Sequence, residues 1–141
     1  MHFPPSIFRY PMKIIMSLII EQMEIGPMQN FQYFIGCNET NKVAVVDPAW
    51  DTDFIIQEAE NKGYAITKVL LTHGHQDHSE GATRITERLN IPVLISMNEA
   101  PYYVPECPNL EAIKDHQIIK IGNIEVEAIF TPGPYNGLCL L

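Results

Sequence analysis

The densest group of ionisable side chains lies in the short segment Thr72-His73-Gly74-His75-Gln76-Asp77-His78. Residues two apart at the end of a strand point to the same side, so His73 and His75 can present their imidazoles to one ion. Asp77 and His78, displaced by a turn into the next helix, can bind a second ion or a bound water. Imidazole and carboxylate together suit zinc, iron or manganese. A polar loop that only caps the next helix is the alternative, but it leaves the density of histidines unexplained. The segment therefore predicts a metal site.

A site of this composition predicts hydrolysis. A bound metal ion lowers the pKa of its water toward neutrality and polarises the carbonyl that the water attacks. Asp77 is the candidate catalytic residue, because its carboxylate can both bind the ion and orient that water. The expected substrate is a small molecule.

Three apolar runs, one of which leads directly into the histidine segment, predict buried strands. Residues 69–71 precede the histidines, residues 43–47 form a similar run stopped by Pro48, and residues 92–95 form a third. Runs without polar alternation are typical of strands that are covered on both faces. We therefore expect the histidines at the end of a central strand.

Two helices are predicted between these strands. The first begins after a cap at Asp51 or Thr52 and ends at Gly63. Its predicted apolar face comprises Phe54, Ile55 and Ala59. The second is expected to be capped by Ser79, directly after the histidines. Its predicted apolar face comprises Ala82, Ile85 and Leu89.

The remaining strands complete an α/β or α+β arrangement with helices on one face of the sheet. Residues 18–23 and 31–35 predict a first pair of strands, and residues 117–121 with 124–130 predict a hairpin around Gly122 and Asn123. Two helices can cover only one face, so we expect the other face to lack a layer. An uncovered apolar face predicts self-association.

Composition limits the classes of function. The chain has 141 residues, of which 46% are apolar, and a net charge of −8, which argues against nucleic acid or an anionic membrane as partner. Its three cysteines form no C-x-x-C pair, so no disulfide framework or cysteine zinc site is expected. The apolar run 14–20 is too short and too interrupted for a signal peptide or a membrane span. We expect a cytoplasmic protein with a disordered leader at residues 1–12 and one partial domain at 13–141.

The segment from Thr72 to Gly81 resembles the T-H-x-H-x-D-H-x-x-G motif of the metallo-β-lactamase superfamily. Residues 29–35, 45–48 and 129–133 are similar to strand segments of its glyoxalase II-like branch, the hydroxyacylglutathione hydrolases. The resemblance covers residues 18–133. It implies the N-terminal half of an αββα sandwich, with a mixed sheet and helices on one face.

The resemblance also implies a ligand set. His73 and His75 would bind the first metal, and Asp77 and His78 the second, with one or two zinc ions expected and iron or manganese as alternatives. Asp47 would be a supporting carboxylate that braces the loop, although a simple turn residue is the alternative reading at that position. The implied activity is hydrolysis of a thioester or ester. An iron-dependent oxidoreductase similar to persulfide dioxygenases is the alternative.

The chain departs from the family pattern after Gly133. The family continues T-P-G-H-T-x-G-S, and its histidine is the third ligand of the first metal, whereas this chain has Pro134, which cannot ligate. His116 follows Asp115 in an expected turn and is predicted to be solvated rather than a substitute ligand. Domains of this kind often need roughly 200 to 250 residues, so we expect a chain truncated after its first half. A single-base frameshift just after Gly133 would explain the change, and an inactive fragment with residual metal binding is a third functional reading.

Overall fold

The computed structural model of the chain describes residues 18–27, 30–74, 79–98, 105–131 and 139–140. His75, Asp77, His78 and Pro134 therefore lie outside the described residues, as does the predicted leader. The described strands are β1 Leu18–Ile25, β2 Asn30–Cys37, β3 Lys42–Val46, β4 Ala65–Leu70, β5 Val93–Ser96, β6 Leu110–Ile113, β7 Ile118–Ile121, β8 Ile124–Glu127, β9 Ile129–Phe130 and β10 Cys139–Leu140. The described helices are α1 Thr52–Asn61 and α2 Ala82–Leu89.

The main sheet has six strands in the order β1-β2-β3-β4-β5-β6. β1, β2 and β3 are antiparallel neighbours, and β3, β4, β5 and β6 run parallel. The sheet is therefore mixed, as predicted. β6 was not predicted, because Leu110–Ile113 has only four residues and begins just after Pro108 and Asn109, which are typical of turns.

The two helices pack on one face of this sheet. The carboxylate of Asp51 accepts a hydrogen bond from the N–H of Phe54 at 3.2 Å and caps α1, as predicted. The predicted apolar face of α1 was wrong at one position. Phe54 is 45% exposed, whereas Ile56 is buried beside Ile55 and Ala59. The apolar residues of α1 that face the sheet are therefore Ile55, Ile56 and Ala59, with Ile56 in place of the predicted Phe54.

A second apolar cluster lies on the opposite face of the sheet. Ala44 and Val46 of β3 and Leu70 of β4 are buried there. The residues that cover them come from the β7–β8 hairpin and the position after it, namely Ile119, Ile121 and Ala128. The expectation that this face lacks a layer was therefore wrong over the centre of the sheet, because the predicted hairpin folds back over it.

Exposed apolar side chains remain on this face at the β1–β2 edge. Leu18 and Ile20 of β1 are 50% and 63% exposed, and Phe31 of β2 is 44% exposed. The strand register places all three on one side, because Ile20 pairs with Ile35 and Glu24 pairs with Phe31. Self-association stays a prediction, and these three residues are the surface that would mediate it.

Cys37 is a buried free thiol and Cys107 a half-buried one. Within the described ranges, no helix combines the length and hydropathy that a bilayer crossing needs.

Candidate metal-binding site

The candidate site lies where the parallel strands β3 and β4 end. Val46 pairs with Leu70 in register, so the residues that follow them, Asp47 on one strand and Leu71 to His73 on the other, lie at the same edge of the sheet. The N–H of Asp47 still donates to the carbonyl of Leu70 at 3.0 Å. Asp47 then adopts a left-handed conformation with φ 51°, which aspartate tolerates better than most residues and which turns the chain away from the sheet.

The carboxylate of Asp47 is buried, with 6% of the residue exposed, and both of its oxygens accept hydrogen bonds from Thr72. The N–H of Thr72 donates to Oδ1 at 2.8 Å, and the hydroxyl of Thr72 donates to Oδ2 at 2.6 Å. Asp47 therefore fastens the first residue of the histidine segment to the end of the neighbouring strand. It is a bracing carboxylate, not only a turn residue.

The same hydroxyl determines the tautomer of His73. Oγ1 of Thr72 lies 2.9 Å from Nδ1 of His73. A hydroxyl has a single hydrogen, and a carboxylate can only accept, so that hydrogen is used on Asp47. The Thr72 oxygen must then accept from an N–H at Nδ1. The proton of the neutral ring is held at Nδ1, and Nε2 keeps the lone pair that a metal ion requires. We call this arrangement the Asp47–Thr72–His73 relay.

A second hydrogen bond joins Gly74 and Ser79, the described residues on either side of positions 75–78. The hydroxyl of Ser79 donates to the carbonyl of Gly74 at 3.1 Å. The prediction that Ser79 caps the second helix was wrong. α2 begins at Ala82, and Gly81 at its N-cap provides no side-chain hydrogen bond. The hydroxyl of Ser79 donates to the carbonyl of Gly74 instead.

Gly81 occupies a position that has no room for a side chain. Its N–H donates to the carbonyl oxygen of Pro48 at 2.8 Å, and a Cβ added at Gly81 would lie 2.6 Å from that same oxygen. The start of α2 is therefore in backbone contact with the loop that follows Asp47. This contact explains in physical terms why the last position of the motif from Thr72 to Gly81 is glycine.

Of the four predicted ligands, the structure describes His73 alone, which lies half-buried at the strand end. No group of three or more histidine, cysteine, aspartate or glutamate side chains that could hold a metal occurs within the described parts of the chain, from which the other three ligands are excluded. His116 lies in the turn between β6 and β7. Its side chain is 67% exposed, as predicted, and its two ring nitrogens face the carboxylates of Glu127 and Asp115.

Thr72 is the functional residue that the sequence reasoning missed. The available signal was a hydroxyl residue one position before the first histidine, at the end of a strand whose parallel neighbour ends in aspartate. Parallel strand ends meet at one edge of a sheet, so the sequence could have suggested that Thr72 and Asp47 lie near each other, whereas the register that joins them by hydrogen bonds required the structure.

The model of the metallo-beta-lactamase superfamily matches residues 25–140, which is most of the chain. The chain belongs to the metallo-beta-lactamase superfamily. Among its curated relatives, "Probable polyketide biosynthesis zinc-dependent hydrolase PksB" of Bacillus subtilis (strain 168) is 34% identical over 113 residues, which are 79% of this chain and 50% of that protein. "Hydroxyacylglutathione hydrolase" of Polaromonas sp. (strain JS666 / ATCC BAA-500) is 32% identical over 118 residues, 82% of this chain and 43% of that protein.

The solved structure of a metallo-beta-lactamase from Staphylococcus aureus subsp. aureus COL superposes with a TM-score of 0.75. It is 23% identical to this chain and covers 88% of it, while the chain covers 38% of that structure. This likeness shows the fold and confirms the predicted fold class. The chain spans about half the length of the curated superfamily members that it matches.

Proposed function

We propose that this superfamily member is a metal-dependent hydrolase in which His73 and His75 bind one zinc ion while Asp77 and His78 bind a second. The observation that carries the proposal is the Asp47–Thr72–His73 relay. It uses a buried carboxylate and a hydroxyl to fix one histidine in the tautomer that can ligate through Nε2. A histidine that only packed in the core would need no such support.

The donor set fits the proposed group. Neutral imidazole and carboxylate are ligands that zinc accepts, and the name of one curated relative specifies a zinc-dependent hydrolase. When bound, the metal would supply a water of lowered pKa and polarise the carbonyl of the substrate.

The residues of the chain have separate tasks in this proposal. Asp77 would bind the metal and would also accept a hydrogen bond from the attacking water, which orients that water. Asp47 and Thr72 keep the ring of His73 from rotating and from exchanging its proton between the two nitrogens. The contact between Gly81 and Pro48 holds the start of α2 against the residues that follow Asp47.

The proposed substrate is a small thioester or ester. One curated relative is named a hydroxyacylglutathione hydrolase and another a probable zinc-dependent hydrolase of polyketide biosynthesis. The superfamily resemblance supports a thioester most directly.

Hydrolysis of an acylglutathione thioester, followed by the release of free thiol, tests this function. Protein loaded with zinc should release thiol faster than protein treated with a chelator, and Asp77→Asn should abolish the difference. His116→Asn is the matched control, because it alters an ionisable residue outside the proposed site and should leave the rate unchanged. Zinc-loaded protein that releases thiol no faster than the chelated sample would overturn the hydrolase proposal, and activity with iron and oxygen alone would favour the oxidoreductase.

We also propose that the chain self-associates through Leu18, Ile20 and Phe31, because exposed apolar side chains on one sheet face favour association. Sedimentation at several concentrations should show an oligomer that Ile20→Lys disperses. A monomer at every concentration would rule this surface out.

A further inference from the structure

The turn between β6 and β7 contacts the segment that joins β8 to β9 through three hydrogen bonds. The N–H of His116 donates to the carbonyl of Ala128 at 2.7 Å, and the N–H of Ala128 donates to the carbonyl of Gln117 at 2.9 Å. Beyond them, the N–H of Phe130 donates to Oδ1 of Asp115 at 2.9 Å. Because β9 leads directly into Thr131, this turn helps to position Thr131.

The ring of His116 adds a charged contact to the same turn. Its Nδ1 lies 2.8 Å from Oε1 of Glu127, and its Nε2 lies 3.6 Å from Oδ2 of Asp115. A neutral imidazole carries a hydrogen on only one nitrogen, whereas the imidazolium carries one on each. The ring can therefore direct an N–H toward both carboxylates at once only when it is protonated.

The backbone of His116 supports a specific role for this side chain. Its φ of 62° lies in the left-handed region, where glycine or asparagine is the usual choice. Histidine adopts this conformation less readily than glycine, and in it the ring of His116 lies beside the two carboxylates.

We propose that Asp115, His116 and Glu127 form a protonation-dependent clamp on β8–β9, which holds the strand most firmly when His116 is an imidazolium. Glu127 on β8 and Asp115 in the turn itself are the charged side chains that face the ring from the elements described around it. Through the hydrogen bond from Phe130 to Asp115, the clamp extends to the residue directly before Thr131. The proposal does not depend on metal binding.

The direction of the pH effect follows from the histidine. The hydrogen bond to Glu127 and the charge of Asp115 raise the pKa of His116 above its ordinary value. The clamp is therefore complete below the unfolded pKa of about 6.5 and is lost as the pH rises through the higher folded value. Toward about pH 4 it should weaken again, because the carboxylates become protonated.

Amide hydrogen exchange of the 141-residue chain, with NMR titration of the His116 ring, tests the clamp. Protection factors of the Phe130 and Ala128 amides, corrected for the intrinsic exchange rate, should fall about twofold to fivefold between pH 5.5 and 8.5. The fall should coincide with the His116 titration, and the amide of Val45 in the centre of the sheet should show none. Equal protection of Phe130 on both sides of that titration would overturn the proposal.

Two variants distinguish the clamp from a general effect of pH. His116→Asn keeps a residue that accepts the left-handed conformation and should remove the pH dependence at Phe130. Glu127→Gln keeps an acceptor but loses the charge, so the His116 titration should move to lower pH. Persistence of the dependence in His116→Asn, or an unmoved titration in Glu127→Gln, would show that the clamp does not exist.

Discussion

Two regions of the molecule pair a histidine with carboxylate groups, and they do so in different ways. At the strand ends, the carboxylate of Asp47 is buried and reaches His73 through the hydroxyl of Thr72. In the β6–β7 turn, the ring of His116 is exposed and faces Glu127 and Asp115 directly. The first arrangement orders a neutral ring, and the second favours a charged one.

The difference explains why only one of these histidines is suited to bind a metal. A hydroxyl between carboxylate and ring fixes the position of a single proton and leaves a lone pair on Nε2 of His73. Carboxylates face both nitrogens of His116 and favour its protonated form, in which neither nitrogen has a free lone pair. Proximity of histidine to acidic residues is therefore not enough to identify a metal ligand.

The sharpest way to test this comparison is Asp47→Asn, for which we expect the largest effect. Asparagine accepts the left-handed conformation of residue 47, so the fold should be retained. Its carbonyl would take the N–H of Thr72, and its NH₂ would donate to the hydroxyl, which must then donate to Nδ1 of His73. The proton of the ring moves to Nε2, and zinc affinity, measured by competition with a chromophoric chelator, should fall at least about 100-fold. Unchanged affinity in a folded variant would disprove the relay.

A smaller effect is expected when Thr72 is replaced. Thr72→Val removes the hydroxyl at nearly constant shape and should weaken zinc binding about 10-fold to 100-fold in the same competition assay. Thr72→Ser keeps the hydroxyl and is the matched control, with affinity close to that of the parent chain. If both variants bind zinc equally, the hydroxyl has no part in orienting His73.

Disrupting the contact between Gly81 and Pro48 should lower the stability of the fold. Gly81→Ala should cost about 1 to 3 kcal/mol in the free energy of unfolding, because its Cβ meets the carbonyl oxygen of Pro48. Gly63→Ala is the comparison, since Gly63 has open space around it and a φ of 73°, so only backbone strain opposes alanine there. Denaturant unfolding measures both variants. Zinc binding should weaken in Gly81→Ala alone, and equal loss in both would contradict a link between this contact and the site.

The smallest effect is expected at the second histidine. His116→Asn should leave the bound zinc per chain unchanged, because the exposed ring of His116 faces two carboxylates that favour its protonated form, which cannot bind a metal. Elemental analysis of the purified variant measures this. Loss of metal on this substitution would mean that His116 replaces the missing third ligand, and the contrast between the two histidines would fail.

Much of the fold could be predicted because local patterns and tertiary packing agree. The buried runs that became β3, β4 and β5 have no polar alternation, and the glycine at 122, with φ 58°, closes the hairpin where a turn was expected. Coverage of the second sheet face was not predictable from the same patterns. It depends on the hairpin folding back over β3 and β4, which is a long-range contact that periodicity does not report.

The site also combines features that the sequence predicts with features that depend on long-range contacts. The histidine segment identifies candidate ligands by residue type and spacing, and the aspartate at the end of the preceding strand could be named as a possible brace. The role of Thr72 depends on the register between two parallel strands and on the count of hydrogens at one hydroxyl. That information becomes available only when Asp47 and Thr72 are seen at the same edge of the sheet.

Metal content per chain, measured by elemental analysis of protein purified without added metal, tests the central claim most directly. The parent chain and His73→Ala/His75→Ala should be compared, with His116→Asn as the control for loss of a histidine elsewhere. The account predicts near-stoichiometric zinc in the parent and in His116→Asn, and none in the double variant. Equal metal in all three proteins, or none in the parent when zinc is supplied, would contradict it.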